Sequence, residues 1–281
     1  FFLNIILNPI FIFGFLFIPP LGVAGIAIAT LIAQFVSFII VLFKVIKNER
    51  IKEITKEFFF PKIYYLKNIF FQSMPITIAI SGYSIASSIV FTYVGTSGEF
   101  AVAGYGAATR IEQVVLLPIL GINTAIISII AQNFGANYLD RVKQTYFTSI
   151  KYGLFIMLIS GILVFTTSNI IPRFFSNDLQ VLDFSSKYLK ISAFILPAYP
   201  IFFLSNGFFM ALKKSGNAMI NNLLRNVLVP ILVFYLAKYL SADFNSFFWI
   251  WAIFQWTLSI LLLFFVIYYM KYRLKKSSTI T

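Results

Sequence analysis

Glu112 is the residue in this chain best placed to do chemistry. It is the one acidic residue in any stretch apolar enough to lie inside a membrane, within Ala103–Arg141, AGYGAATRIEQVVLLPILGINTAIISIIAQNFGANYLDR. A charge at that depth costs about 2.5–3.5 kcal/mol on insertion scales, so such residues face a protein interior or a water-filled path. Helical periodicity sets Tyr105, Thr109 and Asn123 near the same face, with Gln113 adjoining. Arg110 lies about 200° round the helix and cannot be its direct partner. Two readings stay open. Glu112 binds a proton or cation, or lines the path of a cationic substrate; or it joins a charge network that locks its helix against neighbours.

Other residues join these as candidates for an ion or substrate path. Ser84 belongs to the series Thr77, Ser81, Ser84, Ser88, whose steps of four and three keep one helix face. That stripe would line a polar cavity or form a close helix-packing surface. Tyr199, Asn206, Asn8, Gln34 and Gln255 are polar side chains inside apolar runs. Pro118, Pro197 and Pro200 are candidate hinges, because proline removes a helix hydrogen bond and frees carbonyls that could meet a cation. Asn221, Asn222, Arg225 and Asn226 read as helix-end caps or gate contacts, and Trp249, Trp251 and Trp256 as belt or packing residues.

These residues must be positioned by membrane helices. The 281 residues are 60% hydrophobic and 11% charged, with 35 Phe; a soluble domain carries about 25% charged residues. The expected fold class is therefore all-α, an integral-membrane polytopic helical bundle. Eight hydrophobic segments are predicted, at about 1–18, 22–46, 67–95, 99–134, 142–171, 186–212, 217–240 and 245–270. Cysteine and histidine are absent, which removes the usual nucleophile, the commonest general base and most transition-metal sites, so an enzyme is not expected. The net charge of +13 would suit nucleic acid, but Lys and Arg collect in alternate short loops and the tail, the signature of membrane topology. That asymmetry predicts a cytoplasmic C-terminus. The charged stretch 47–66 reads as a linker along the membrane surface.

An internal repeat organises the segments. A register shift that lays Pro9 on Pro230 also lays Phe13 on Phe234, Gln34 on Gln255, Phe35 on Trp256 and Phe43 on Phe264. Parallel repeats of this kind relate two lobes about an axis along the membrane normal. The predicted division is 1–46 as the last two helices of an N-lobe, 47–66 as inter-lobe linker, and 67–281 as a six-helix C-lobe with a basic cytoplasmic tail. The chain opens inside an apolar run, so about four helices are expected to precede it.

The run GYGAATRIEQVVLLPILGINTAIISIIAQNFGANYLDRV resembles the eighth helix and following loop of the multidrug and toxic compound extrusion (MATE) transporters. LNIILNPIFIFG followed by PPLGVAGIAIAT resembles their fifth and sixth helices. The resemblance covers essentially the whole chain. It implies helices five to twelve of a twelve-helix, two-lobe antiporter that exports hydrophobic, often cationic compounds by alternating access, driven by a proton or sodium gradient. It implies no cofactor beyond the coupling ion. The implied partners are the lipid bilayer and a small-molecule substrate, not nucleic acid. The full-length protein is expected to be monomeric in a plasma membrane, a bacterial inner membrane in particular. Two departures stand out. Some sodium-coupled members carry acids in the seventh and tenth helices, where segments three and six here have none, and Asn8 stands where some members place an Asp. The coupling acid of proton-driven relatives often lies in a first helix, outside this chain, so the chain alone is expected to be inactive. A lipid-linked oligosaccharide flippase of a related branch and a non-transporting membrane scaffold are the alternatives.

Overall fold

A computed structural model describes residues 2–15, 19–47 and 63–272. The predicted surface linker lies mostly outside the described residues, as does the basic tail beyond 272. The described residues form ten α-helices: α1 Phe2–Phe13, α2 Gly22–Ile46, α3 Ile63–Gly95, α4 Glu99–Gly135, α5 Leu139–Thr167, α6 Leu179–Ile195, α7 Ala198–Ala211, α8 Ser215–Leu223, α9 Val229–Tyr239 and α10 Phe244–Tyr272. A π-helical turn, Leu224–Leu228, joins α8 to α9. Among the described residues five stretches are long and apolar enough to cross a membrane, and six if α6 and α7, bent by 55° at their junction, count as one broken span.

The packing divides the chain into residues 1–66 and 67–281. In the first unit α1 and α2 form a hairpin. The Leu21 N–H donates to the Phe11 carbonyl at 3.0 Å. Asn8 Nδ2 donates to Asn4 Oδ1 at 2.9 Å, and Asn4 Nδ2 to Thr30 Oγ1 at 3.2 Å. Both amide nitrogens thereby find acceptors inside the hairpin, while Asn8 Oδ1 is buried with no partner.

In the second unit α4 is the central helix, packed against α5, α6 and α7, while α10 packs against α6, α7 and α9. Its buried side follows the helical period through Ala101, Gly104, Ala108, Ile111, Glu112, Ile119, Ile126 and Ile130. Small residues let backbones approach. A Cβ at Gly104 would lie 2.7 Å from the Val181 carbonyl oxygen, and one at Gly161 2.7 Å from that of Ala193. Such small-residue contacts drive helix association where lipid offers no hydrophobic preference between helices.

The proline positions behave differently from one another. α4 runs unbroken through Pro118, which is exposed. Pro197, by contrast, caps the start of α7 at the 55° bend, and Pro200 follows within its first turn, where a missing N–H costs little. Trp256, read from sequence as a belt or packing residue, donates its indole N–H to the Phe194 carbonyl at the end of α6, at 2.8 Å.

Asp243 caps α10, its Oδ1 accepting the Ser246 N–H at 3.0 Å. Hydrogen bonds from the Ser246 side chain and then its backbone hold this carboxyl below the usual carboxylate range. A depressed folded-state value stabilises the fold above the unfolded-state value, and that contribution is lost as pH falls through the folded one. Asp243→Ala is expected to cost about 1 kcal/mol near neutral pH and almost nothing in strong acid. Thermal unfolding at both pH values measures the difference; an equal loss at both would mean that the charge plays no part.

Candidate functional site

Glu112 lies on the buried side of α4 and is only 7% exposed. Two phenols hold it. The Tyr188 hydroxyl, from α6, donates to Oε2, and the Tyr199 hydroxyl, from α7, donates to Oε1 at 2.5 Å. On one unbroken helix these tyrosines would share a face about 16 Å apart. Here they stand on either side of the break at Leu196–Pro197, and their hydroxyls converge on one carboxyl group.

Aromatic rings wall the site. Tyr105 meets Tyr188 edge-on with ring centroids 4.9 Å apart and stacks on Phe248 at 5.3 Å. Phe248 closes against Tyr188 at 4.7 Å. Tyr105 therefore stands in the shell around the carboxylate, one ring removed from it. Edge-to-face rings fix the orientation of Tyr188.

Beside Tyr199 sits a buried cation. Arg225 is carried by the π-helical turn and is 8% exposed. Its guanidinium carbon lies 4.6 Å from the Tyr199 ring centroid, 4.1 Å from Phe202 and 5.5 Å from Phe203. Its Nε donates to Gln255 Oε1, from α10, at 2.8 Å. Among the described residues the ion pairs are Lys143–Asp140 and Lys187–Asp183, both at the surface. The buried acid and the buried base thus form no direct pair and share Tyr199 instead.

The structure brings together Glu112, Tyr105, Tyr199 and Gln255 from the sequence candidates. It adds Tyr188, which sequence reading missed, and turns Arg225 inward, where caps or gate contacts were expected. The eleven-residue spacing of Tyr188 and Tyr199, three helical turns, is the signal that could have found the first. Other candidates lie elsewhere. Arg110, Gln113, Ser84 and Gln34 are exposed within their units. Thr109 returns its hydroxyl to the Gly106 carbonyl at 3.0 Å, and Ser88 to that of Ser84 at 3.0 Å. Asn123 Oδ1 and both polar atoms of Asn206 are buried with no partner, Asn123 being pressed against Gly207.

Tyr188→Phe and Tyr199→Phe each leave one carboxyl oxygen without its donor. Each is expected to cost about 1–3 kcal/mol in thermal unfolding in detergent, and the two together less than their sum. Additive losses would mean that the phenols act independently of one carboxyl.

A bent helix pair thus stands beside a buried, aromatic-walled carboxyl group. The MatE family model matches residues 75–236, more than half of the chain. The chain belongs to this family of multi-pass membrane transporters and is not an enzyme. It is 28% identical over 231 residues to the multidrug export protein MepA of Staphylococcus aureus strain MSSA476, covering 82% of this chain and 50% of that protein. It therefore spans about half the length of the curated relatives it matches. Its fold is that of a MOP superfamily transporter from Pyrococcus furiosus, with a TM-score of 0.86 at 23% identity over 98% of this chain and 60% of the other. An outward-facing MATE family transporter superposes with a TM-score of 0.87 at 22% identity, over 98% of this chain and 61% of the other.

Proposed function

We propose that the chain supplies helices five to twelve of a two-lobe, cation-coupled antiporter that exports hydrophobic, often cationic compounds by alternating access. The observation that carries this reading is the grip of Tyr188 and Tyr199 on the buried Glu112 from both sides of the α6–α7 break. A proton or sodium ion arriving at the carboxylate takes acceptor capacity away from the phenols. The hydrogen bonds across the break then weaken, and α6 and α7 are free to change their angle. Alternating access needs a ligand that binds two states unequally, and a carboxylate clamped across a bend meets that requirement. The likeness to MepA supports drug export, and the loop charges support a cytoplasmic C-terminus in a plasma membrane. The coupling ion is the only small cation the site requires, with no cofactor, and the working unit is a monomer. No observation favours the flippase or scaffold readings.

The test is ethidium efflux from vesicles carrying a two-lobe protein that contains this chain, with sodium and proton gradients imposed separately. Efflux that follows one gradient and collapses when it is dissipated is the expected result. Efflux indifferent to both overturns the coupling.

A further inference from the structure

Three aromatic rings of α7 face one buried guanidinium. Tyr199, Phe202 and Phe203 stand at steps of three and four, hence on one helix face, and Arg225 lies 4.1–5.5 Å from their centroids. Its Nε–H donates to a neutral acceptor, Gln255. This is how a protein recognises a weakly hydrated, delocalised cation: ring faces around it, desolvation, and a carboxylate close by. The carboxylate is Glu112, which accepts from the hydroxyl of the shared Tyr199. The cation is tethered to a π-helical turn, an irregularity common at functional sites, whose return to α-helical register would rotate the side chain.

We infer that Arg225 is a built-in stand-in for the exported molecule. The box of Tyr199, Phe202 and Phe203 is a binding site for delocalised organic cations, and Arg225 must withdraw before one enters. This rests on the transport reading above and adds to it an internal competitor at a located site. It also makes Arg225 a regulatory plug. The guanidinium occupies the box in the absence of substrate, and substrate entry must displace it.

The probe is tetraphenylphosphonium, bound to the purified chain in lipid nanodiscs and measured by equilibrium dialysis. Arg225→Ala is expected to bind it about tenfold more tightly than the wild type, because the internal competitor is gone. Adding Phe202→Ala to that variant is expected to abolish the gain. Unchanged or weaker binding by Arg225→Ala, with the wild-type circular dichroism spectrum, overturns the inference. So does a gain that survives Phe202→Ala. Should Arg225→Ala lose its fold, Arg225→Lys serves, since a strongly hydrated ammonium plugs the box less well; affinity equal to wild type in that variant overturns the inference equally. Gradient-dependent efflux alongside any of these failures removes the box and leaves the transport reading standing. Tighter binding alongside gradient-independent efflux keeps the box and removes the coupling.

Discussion

Glu112→Gln lowers gradient-driven ethidium efflux by at least about tenfold in a two-lobe protein containing this chain, with little loss of fold. A tenfold change corresponds to about 1.4 kcal/mol in a binding or activation free energy. The amide keeps the size of the carboxyl and still offers an oxygen to one tyrosine. A phenol hydroxyl can rotate to accept from the new N–H, so Tyr188 and Tyr199 both retain partners. Packing around the site, with Tyr105 and Phe248 against Tyr188, is untouched. What is lost is the negative charge, and with it any means of drawing a proton or metal cation to the α6–α7 break. A purely structural role predicts the reverse pattern, with a lower unfolding temperature and near-wild-type efflux. That outcome would reduce Glu112 to a packing residue.

The second large effect concerns how the site is held together. Gly104→Val is expected to destabilise the chain by about 2–3 kcal/mol. A Cβ there would lie 2.7 Å from the Val181 carbonyl oxygen, 2.8 Å from Phe184 Cβ and 3.0 Å from the Ser185 N–H nitrogen. Two of those atoms are backbone, so no side chain can swing aside and α4 must part from α6. That separation carries Tyr188 away from Glu112, since they sit on α6 and α4. The same substitution therefore weakens both the fold and the clamp. Gly106 is the internal control, because a Cβ there meets nothing within 4 Å. Gly106→Ala is expected to be neutral or to stabilise by about 0.5–1 kcal/mol through reduced chain entropy. Thermal unfolding in detergent compares them, and equal unfolding temperatures for the two variants would refute the close-approach argument.

Much of the site was legible in the sequence because its parts are local. Glu112 stood out as an acid in an apolar helix, and the helical angle alone separated it from Arg110, which the structure leaves exposed. Pro197 and Pro200 marked the interrupted segment that the structure bends by 55°. Pro118 carried the same sequence signal and sits in an unbroken helix, so proline alone does not specify a bend. Tyr188 escaped notice because it lies between Lys187 and Lys190, near the polar end of its segment, where a tyrosine usually reads as an interfacial residue.

The sequence by itself determined the class: a helical membrane protein carrying one acid at depth and a motif shared with MATE transporters. Hydropathy, charge and helical angle are properties of single segments and can be summed along a chain. The tertiary structure alone decided that Glu112 is held by phenols from α6 and α7, and that Arg225 meets Tyr199, Phe202 and Phe203 instead of the acid. Those meetings depend on the rotation of each helix, the bend at Pro197 and the extra residue of a π-helical turn. None of these is periodic, and an error of one residue in any of them would point the side chain elsewhere.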